Sequence, residues 1–370
     1  STQIPHIVRR ICSQALGVGF GDIRIIKPYI GGGFGNKQDA LTEPLNAYLT
    51  TRVGGRPVKL AYTREETFAC TRVRHAMEFH IVSSIRPDGT FAARSIDAYS
   101  NQGAYASHAH ALVANAVNGF RMMYPVGAIK GNAYTVYTNL PTAGAMRAYG
   151  IPQIGFAMEA HVDDIVSRTG FDPIGFRKRN MMKLGYVDPI TTITCHSTGL
   201  EECIEKGSRH IGFAEKRTRY AAQTGPLRRG VGMAIFCYKT GVYPISLETS
   251  ACRMILNQDG SAQLQVGATE IGQGADTVFT MMAAETAGFT PDKIHLISTQ
   301  DTDVTPYDTG AYASRQTYVS GMAVKKTAES LKTKILAYAG KMLHKDPWDL
   351  DIKENQVVHR NQEKSLIPVA

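Results

Sequence analysis

This chain has no apolar run of the roughly 20 residues that a membrane-spanning helix requires. Its N-terminal segment, STQIPHIVRR, contains a basic pair but no apolar core and no small-residue cleavage site, so it predicts no secretory signal. The six cysteines form no CxxC motif, and no histidine lies at zinc spacing from them. These absences disfavour a membrane partner, a zinc module and a disulfide framework, and they favour free thiols in a reducing cytoplasm.

Basic tracts are also missing, although the net charge is +9. The pairs Arg228-Arg229 and Lys325-Lys326 are isolated, and aromatic residues do not alternate with them as on a nucleic-acid-binding surface. The sequence therefore predicts no nucleic-acid partner. The surplus charge fits a solvated basic surface or a site for a phosphate-bearing cofactor, and charge alone does not choose between them.

The glycine run at residues 31–35 falls short of both common nucleotide-binding motifs. Asn36 stands where the dinucleotide pattern needs its third glycine, and the Walker A pattern fails because Gln38, not Ser or Thr, follows Lys37. A tight strand-to-helix turn explains one or two glycines. Four glycines around Phe34 also suit a close approach of the backbone to a ligand, and the residues alone leave the two interpretations about even.

Other polar motifs are individually weak. The spacing of His108 and His110 predicts two imidazoles on one face of a strand; they could ligate a metal, but the alanine-rich surroundings favour packing. In residues 269–274, Gln273 could contact a polar ligand, whereas a lone Glu270 is more often structural than a general base. Small residues also lead to Arg147, whose planar fork suits anionic oxygen, and neighbouring Tyr149 can stack on a planar ring. No nucleophile elbow G-x-S-x-G occurs.

Apolar spacing predicts an α+β fold of mixed sheet and helices, with two domains at 1–226 and 227–370 divided near Leu227. The glycines at 31–35, 150 and 267–274 each precede a predicted helix, whose N-terminal N–H groups suit anions. The predicted helices are 8–15, 41–49, 154–168, one inside a connection at 185–226, one starting near 276, and 324–342; the predicted strands are 23–26, 58–62, 77–83, 91–99, 133–138, 230–238, 251–256 and 262–266.

Taken together and in this order, the motifs resemble the molybdenum hydroxylase family, most closely the molybdenum-binding subunit of bacterial xanthine dehydrogenases. Each motif alone is weak, but six in register over essentially the whole chain are specific. The segments that carry the resemblance are Ser1-Thr2-Gln3, residues 31–37, Arg74-His75, residues 138–153, residues 267–274 and residues 311–314.

The resemblance implies two molybdopterin-cofactor-binding domains and a molybdenum atom held through a pterin dithiolene. It implies hydroxylation of an electron-poor carbon, with water-derived oxygen, on a purine such as xanthine or hypoxanthine. Electrons would leave through iron–sulfur clusters and FAD in partner subunits. We expect the cytosine dinucleotide form of the cofactor and a cytoplasmic enzyme of purine catabolism.

The resemblance also assigns residues by position. Gln3 and Arg147 are implied in catalysis, Gln3 through a hydrogen bond to the apical oxo ligand, and Gln38 and Tyr149 in substrate binding. Gln3, Phe34 and Arg147 would surround the ligands of the metal without binding it directly. The implied cofactor-binding residues are Gly33, Phe34, Gly35, Arg147, Gly272, Gln273, Gly274, Ala313 and Ser314.

Several departures bear on the substrate and on activity. Purine-oxidising relatives often carry Glu where this chain has Gln38, and animal enzymes have Arg near the position of Asn115. A second substrate-stacking aromatic is expected around residues 243–246. The family's catalytic glutamate is expected beyond Ala370, and an N-terminal part before Ser1, so we expect the chain alone not to turn over purines. Aldehyde, nicotinate or aromatic-thioester substrates, a cofactor-less scaffold and a nicotinamide dehydrogenase built on residues 31–35 are the alternatives.

Overall fold

The computed structural model describes residues 1–242, 248–297, 300–362 and 364–370, in which helices and short sheets alternate. The helices are α1 (Pro5–Leu16), α2 (Glu43–Arg52), α3 (Arg64–Cys70), α4 (Ala109–Met123), α5 (Ile151–Thr169), α6 (Pro173–Asn180), α7 (Leu200–His210), α8 (Phe213–Ala221), α9 (Ala275–Ala287) and α10 (Gly321–Leu343). The strands are β1 (Ile26–Lys27), β2 (Met77–Ile85), β3 (Phe91–Gly103), β4 (Ala128–Tyr137), β5 (Cys252–Leu256), β6 (Ala262–Val266), β7 (Ile294–Leu296), β8 (Gln300–Asp301), β9 (Leu350–Lys353), β10 (Gln356–His359) and β11 (Ser365–Pro368). The predicted α+β class, with mixed sheets and helices, is confirmed.

The chain forms two compact units. The discontinuous unit combines Ser1–Thr71 with Lys239–Ala370, and the central unit is Arg72–Tyr238. These bounds group the first 71 residues with the C-terminal part of the chain. The division of the sequence into two domains near Leu227 stays a prediction. The compact units of the structure have different bounds.

The central unit is built on the sheet β2-β3-β4. Strands β2 and β3 are antiparallel and meet at the predicted turn, where Gly89 has a φ of 81°. Strands β3 and β4 are parallel, and α4 makes the crossover between them. Its core includes apolar residues of α4 and α5 that recur at helical spacing, among them Leu112, Ala116 and Phe120 on α4 and Ile154 and Val162 on α5.

Arg177 and Glu159, two buried charges of the central unit, are paired. The Arg177 guanidinium donates to Glu159 at 2.8 Å, and the Tyr124 hydroxyl donates to the same carboxylate at 2.5 Å. Glu159 also accepts the main-chain N–H of Ile235 at 2.9 Å, which fixes the segment that follows α8. Removing the Arg177 guanidinium would leave the Glu159 carboxylate buried without a countercharge.

Asp188 orders the segment between α6 and α7. Its carboxylate pairs with the Arg121 guanidinium and accepts the main-chain N–H groups of Ile190 at 2.9 Å and Thr191 at 2.8 Å. Burial alone would raise the pKa of the Asp188 carboxyl, but these donors lower it to about 2. The charged form is therefore the one that the fold stabilises.

We predict that this pKa shift stabilises the protein by about 2 kcal/mol at neutral pH. A carboxyl whose folded pKa lies below its unfolded value contributes fully above about pH 4, and the contribution is lost as the pH falls towards about 2. Urea unfolding between pH 5 and pH 2 should show a steeper loss for the wild type than for Asp188→Asn. Equal slopes for the two proteins would show that the ion pair with Arg121 contributes nothing.

The discontinuous unit has its own core. The sheet β5-β6-β7 packs with α9 and α10, and its buried residues include Leu264, Phe279 and Val324. The predicted hairpin turn joins antiparallel β5 and β6 through Gly260, which has a φ of 77°. The pairing of β1 with β8 then ties the N-terminal segment to the later part of the chain.

Several predicted elements were wrong. His108 is the N-cap residue of α4 and His110 lies within the helix, because the segment buries alanines and larger apolar residues at helical spacing. Residues 58–62 and 230–238 pair with no strand in the described part of the chain, so their β-branched and aromatic residues do not form sheets. The connection at 185–226 contains two helices, α7 and α8, where one was predicted.

All six cysteines are free. Within the described residues, no helix combines the length and the apolar character that crossing a bilayer requires.

Candidate functional site

Gln3 joins two loops of the discontinuous unit. Its side chain is buried; the amide oxygen accepts the Gly35 N–H at 2.9 Å, and Nε2 donates to the Ala311 carbonyl at 2.5 Å. The main chain adds bonds from Gln3 N to Lys37 O and from Ala311 N to Gln3 O. A Cβ on Gly33 would lie 2.3 Å from the Gln3 amide oxygen, so glycine is required for this approach. Nε2 carries a second hydrogen, which remains for a ligand.

The loop at residues 31–35 lies beside the loop at 269–274. Gly32 N donates to the Ile271 carbonyl at 2.9 Å, and a Cβ on Gly272 would lie 3.8 Å from Gly32 N. Buried Lys27 donates from Nζ to the Glu270 carbonyl at 2.5 Å. Turns, not a helix, follow residues 31–35, and β1 is antiparallel to β8. This loop therefore lacks the strand–loop–helix context of a dinucleotide site, which argues against the nicotinamide dehydrogenase hypothesis.

Glu270 occupies the N-terminus of α9. Its carboxylate accepts the N–H groups of Gly272 at 2.6 Å, Gly274 at 3.3 Å and Asp276 at 3.0 Å. Burial alone would raise the pKa of this carboxyl, but the backbone donors hold it below its ordinary value. Glu270 is therefore a structural anion that caps this helix N-terminus from within the protein.

The Gln273 side chain folds back onto its own loop. Its amide oxygen accepts the Ile271 N–H at 2.7 Å, and Nε2 donates to Thr269 O at 3.0 Å and to the Gln316 side chain. The contacts of Gly272, Gln273 and Gly274 with a cofactor stay a prediction. The N–H groups of Gly272 and Gly274 are bonded to Glu270. A ligand could still approach the two glycines at the faces that the missing Cβ leaves open.

Arg315 supports the third loop of this unit. Its guanidinium is fully buried and pairs with Asp308 at 2.7 Å and Glu248 at 2.6 Å. It also donates to the carbonyls of Gly310 at 3.0 Å and Thr249 at 2.6 Å. These ion pairs and hydrogen bonds of Arg315 hold the loop that carries Ala313 and Ser314 in place.

Left-handed backbone is concentrated in the predicted loops. In the described part of the chain, nine non-glycine residues have a positive φ, and five of them are Phe34, Ala148, Tyr149, Ala313 and Ser314. Each such residue costs about 1–3 kcal/mol and persists only where its surroundings enforce it. Among the described residues, no acceptor is bonded to the N–H groups of Phe34, Ala313 and Ser314. Successive N–H groups in this conformation form a concave surface that suits an anion.

Arg147 and Tyr149 lie together in the central unit. Arg74 donates from its guanidinium to Arg147 O at 2.9 Å, and Asn115 donates from Nδ2 to Tyr149 O at 2.8 Å. Gly150, with a φ of 91°, completes the left-handed turn before α5. This arrangement leaves the Arg147 side chain exposed and the Tyr149 ring half-buried.

His75 is a buried titratable group beside this loop. Neither ring nitrogen has a hydrogen-bond partner in the described part of the chain, and the His75 carbonyl accepts from Gln153 Nε2 at 3.0 Å. Burial, with a smaller effect from His108, lowers the pKa of His75 to about 4. The imidazole is therefore neutral at pH 7.

The predicted site residues fall into two groups. All of them except Arg147 and Tyr149 lie in the discontinuous unit, with Gln38 half-buried next to the glycine run. The aromatic expected at residues 243–246 lies outside the described residues. Within those that are described, no three His, Cys, Asp or Glu side chains gather as a metal site.

Comparison with known proteins identifies the family. Two models of the molybdopterin cofactor-binding domain match residues 1–181 and 206–370. The chain belongs to the molybdenum hydroxylase family. It is 47% identical over 358 residues to the xanthine dehydrogenase molybdenum-binding subunit of Escherichia coli O157:H7, covering 97% of this chain and 48% of that protein.

Two other proteins are less identical to this chain. The nicotinate dehydrogenase large molybdopterin subunit of Eubacterium barkeri is 33% identical over 206 residues, which cover 56% of this chain and 48% of that one. Quinoline 2-oxidoreductase from Pseudomonas putida 86 has the same fold, with a TM-score of 0.88 at 22% identity over all of this chain and 48% of that structure. The chain thus spans about half the length of these relatives.

Several contacts that shape these loops were not predicted from the sequence. Asn115 and Arg74 donate to main-chain carbonyls of the loop before α5. Asp308 and Arg315 contact the main chain of Gly310. The sequence holds one signal for these contacts, because Asp308 and Arg315 flank Gly310. Opposite charges within a short glycine-containing loop can form an ion pair.

Proposed function

We propose that the complete enzyme is a xanthine dehydrogenase-like hydroxylase whose molybdopterin is bound in part by the loops of this chain. The observation that carries the proposal is the backbone of Phe34, Ala313 and Ser314. The family resemblance assigns these residues to the cofactor, and they are non-glycine residues in left-handed conformation with unbonded N–H groups.

The donor set fits a cofactor that brings its own metal ligands. Phe34, Ala313 and Ser314 would donate main-chain N–H groups to anionic or polar atoms of the pterin and its phosphate. The second amide hydrogen of Gln3 and the N–H of Arg147 would contact groups around the metal. When bound, the cofactor supplies the two-electron oxidation of a carbon centre with oxygen derived from water, which no side chain can perform.

This chain's residues would bind and orient the substrate. Tyr149 offers an aromatic face for a planar ring, and Gln38 offers an amide that both donates and accepts. We infer a purine such as xanthine or hypoxanthine, because the xanthine dehydrogenase subunit is the more identical of the relatives above. The cytosine dinucleotide form of the cofactor, iron–sulfur and FAD partner subunits and a cytoplasmic location belong to the same proposal.

We expect Gln273→Ala to reduce molybdenum occupancy by about 10–100-fold, a typical effect of removing a group that supports a metal site. The substitution frees Ile271 N, Thr269 O and Gln316 from the bonds that shape the loop. Molybdenum would be measured by mass spectrometry in the complete enzyme from a host that makes the cofactor. The matched control is Gln356→Ala, which removes a half-buried glutamine on β10.

A folded wild type that stays free of molybdenum in such a host would contradict the proposal and favour a cofactor-less scaffold. A loaded wild type that hydroxylates an aldehyde or nicotinate but no purine would keep the cofactor assignment and replace the substrate.

A further inference from the structure

The Tyr149 side chain is fixed at its hydroxyl end by His108. The His108 Nδ1 lies 2.9 Å from the phenol oxygen, and the hydroxyl donates a longer bond, 3.4 Å, to the His108 carbonyl. The phenol has one hydrogen, so when it donates to this carbonyl, Nδ1–H donates to the phenol oxygen. The two rings are also in edge-to-face contact, with centroids 5.7 Å apart and planes at 87°. The same residue therefore restrains both the position and the tilt of the Tyr149 ring.

The other end of Tyr149 is fixed independently. Asn115, one to two turns further along α4 than His108, donates to the Tyr149 carbonyl at 2.8 Å. The N–H of Tyr149 donates to Met146 O at 2.8 Å, and its φ of 44° is held within a left-handed run. With its backbone set by Asn115 and its hydroxyl by His108, the ring has little freedom to turn about its side-chain bonds.

This double restraint matters for a ring that stacks. A planar ligand gains contact area only if the protein ring is parallel to it, and a ring already held in place loses less conformational entropy on binding. A small non-aromatic ligand has no such requirement. A restraint on the Tyr149 ring should therefore favour planar ligands selectively.

We propose that His108 is a positioning residue that fixes the Tyr149 ring and thereby favours planar heterocycles over small non-aromatic substrates. The inference rests on the proposed function, since it takes Tyr149 as part of the substrate site. It adds a residue that lies outside the motifs of the resemblance and depends on the hydroxyl group of Tyr149.

The test is a double-mutant cycle in the complete molybdenum-loaded enzyme. For Tyr149→Phe and His108→Leu alike, the KM for hypoxanthine should rise about 3–10-fold, the range of one lost hydrogen bond. For His108→Leu, the value of kcat should change less than twofold, and the KM for acetaldehyde should not change. The double variant should match either single variant, because both remove the same interaction. His108→Asn, whose Nδ2 can replace Nδ1, should restore the wild-type KM.

The matched control is His110→Leu, on the same helix, where His110 contacts Thr135 and not Tyr149. Two results would overturn the inference: effects of the two substitutions that multiply in the double variant, or a rise in the KM for acetaldehyde equal to that for hypoxanthine. In either case, hypoxanthine turnover by the wild type would still uphold the proposed function. If the wild type turns over no heterocycle, the proposed function fails.

A measurement independent of activity decides the inference in that case too. Hydrogen exchange by mass spectrometry should be faster in the peptide containing residues 147–151 for His108→Leu than for His110→Leu. Equal exchange in the two variants would show that His108 does not restrain Tyr149.

Discussion

Replacing Arg315 by methionine will lower the free energy of unfolding by about 3–5 kcal/mol, because it leaves buried carboxylates without a countercharge. The guanidinium is fully buried and is in contact with the carboxylates of Asp308 and Glu248. Asp308 keeps bonds from Gly310 N at 2.6 Å and Ser320 Oγ at 3.1 Å, which do not neutralise it. Methionine matches the length of the side chain but supplies neither charge nor donors.

Urea unfolding followed by circular dichroism measures this loss. The matched control is Arg24→Met in the same unit, where the arginine side chain is 54% exposed and pairs with Asp301. An exposed ion pair is worth about 0–1 kcal/mol, so the control should remain close to the wild type. A loss of similar size in both variants would mean that burial of the Arg315 network contributes no special stability.

Elements with a strong local pattern could be predicted. The apolar periodicity of α5 and α10, the alternation of β2 and the turn residues at Gly89 and Gly260 gave helices, strands and turns close to those observed. These features depend on neighbours in the sequence. The strand prediction at His108 was wrong for a related reason. Two histidines on either side of an alanine carry little information about secondary structure, and apolar residues further along α4 determine the helix.

The positions of the loops could be predicted from the sequence, but the contacts that hold these loops in place could not. The resemblance pointed to residues 31–35, 267–274 and 311–314, all of which form irregular loops in the discontinuous unit. What holds them comes from long-range contacts such as the bond from Gln3 Nε2 to Ala311 O, between residues 308 positions apart. No pattern within a window of sequence can indicate such a pair, and the same limit applies to the grouping of Ser1–Thr71 with the C-terminal part.

At α9 a side chain of the protein itself occupies the helix N-terminus that the sequence suggested as suited to an anion. Glycines before a helix do expose N–H groups, as the sequence suggested. Glu270 satisfies them from within the loop, at residues two to six positions further along the chain, and it is the only acidic residue in the segment 267–274. A glutamate at this position can be a general base or a helix cap, depending on its rotamer. The sequence does not specify the rotamer.

Substituting Gln3 should have a large effect on cofactor loading. Gln3→Leu leaves Gly35 N–H and Ala311 O without partners in a buried setting, and each unsatisfied group costs about 1–3 kcal/mol. Because this amide connects two loops that carry left-handed residues, we expect molybdenum occupancy in the complete enzyme to fall by about 10–100-fold. Mass spectrometry of the purified enzyme gives the occupancy, and Gln14→Leu, at an exposed glutamine of α1, should load like the wild type.

Gln3→Glu separates the two roles that this amide could have. A carboxylate still accepts the Gly35 N–H, but it cannot donate to Ala311 O, and the two oxygens would repel each other. If the connection between the loops is what matters, Gln3→Glu loses molybdenum nearly as completely as Gln3→Leu. Full molybdenum with lost turnover would instead show that the loops hold without this bond, and that the second amide hydrogen of Gln3 acts directly at the metal centre.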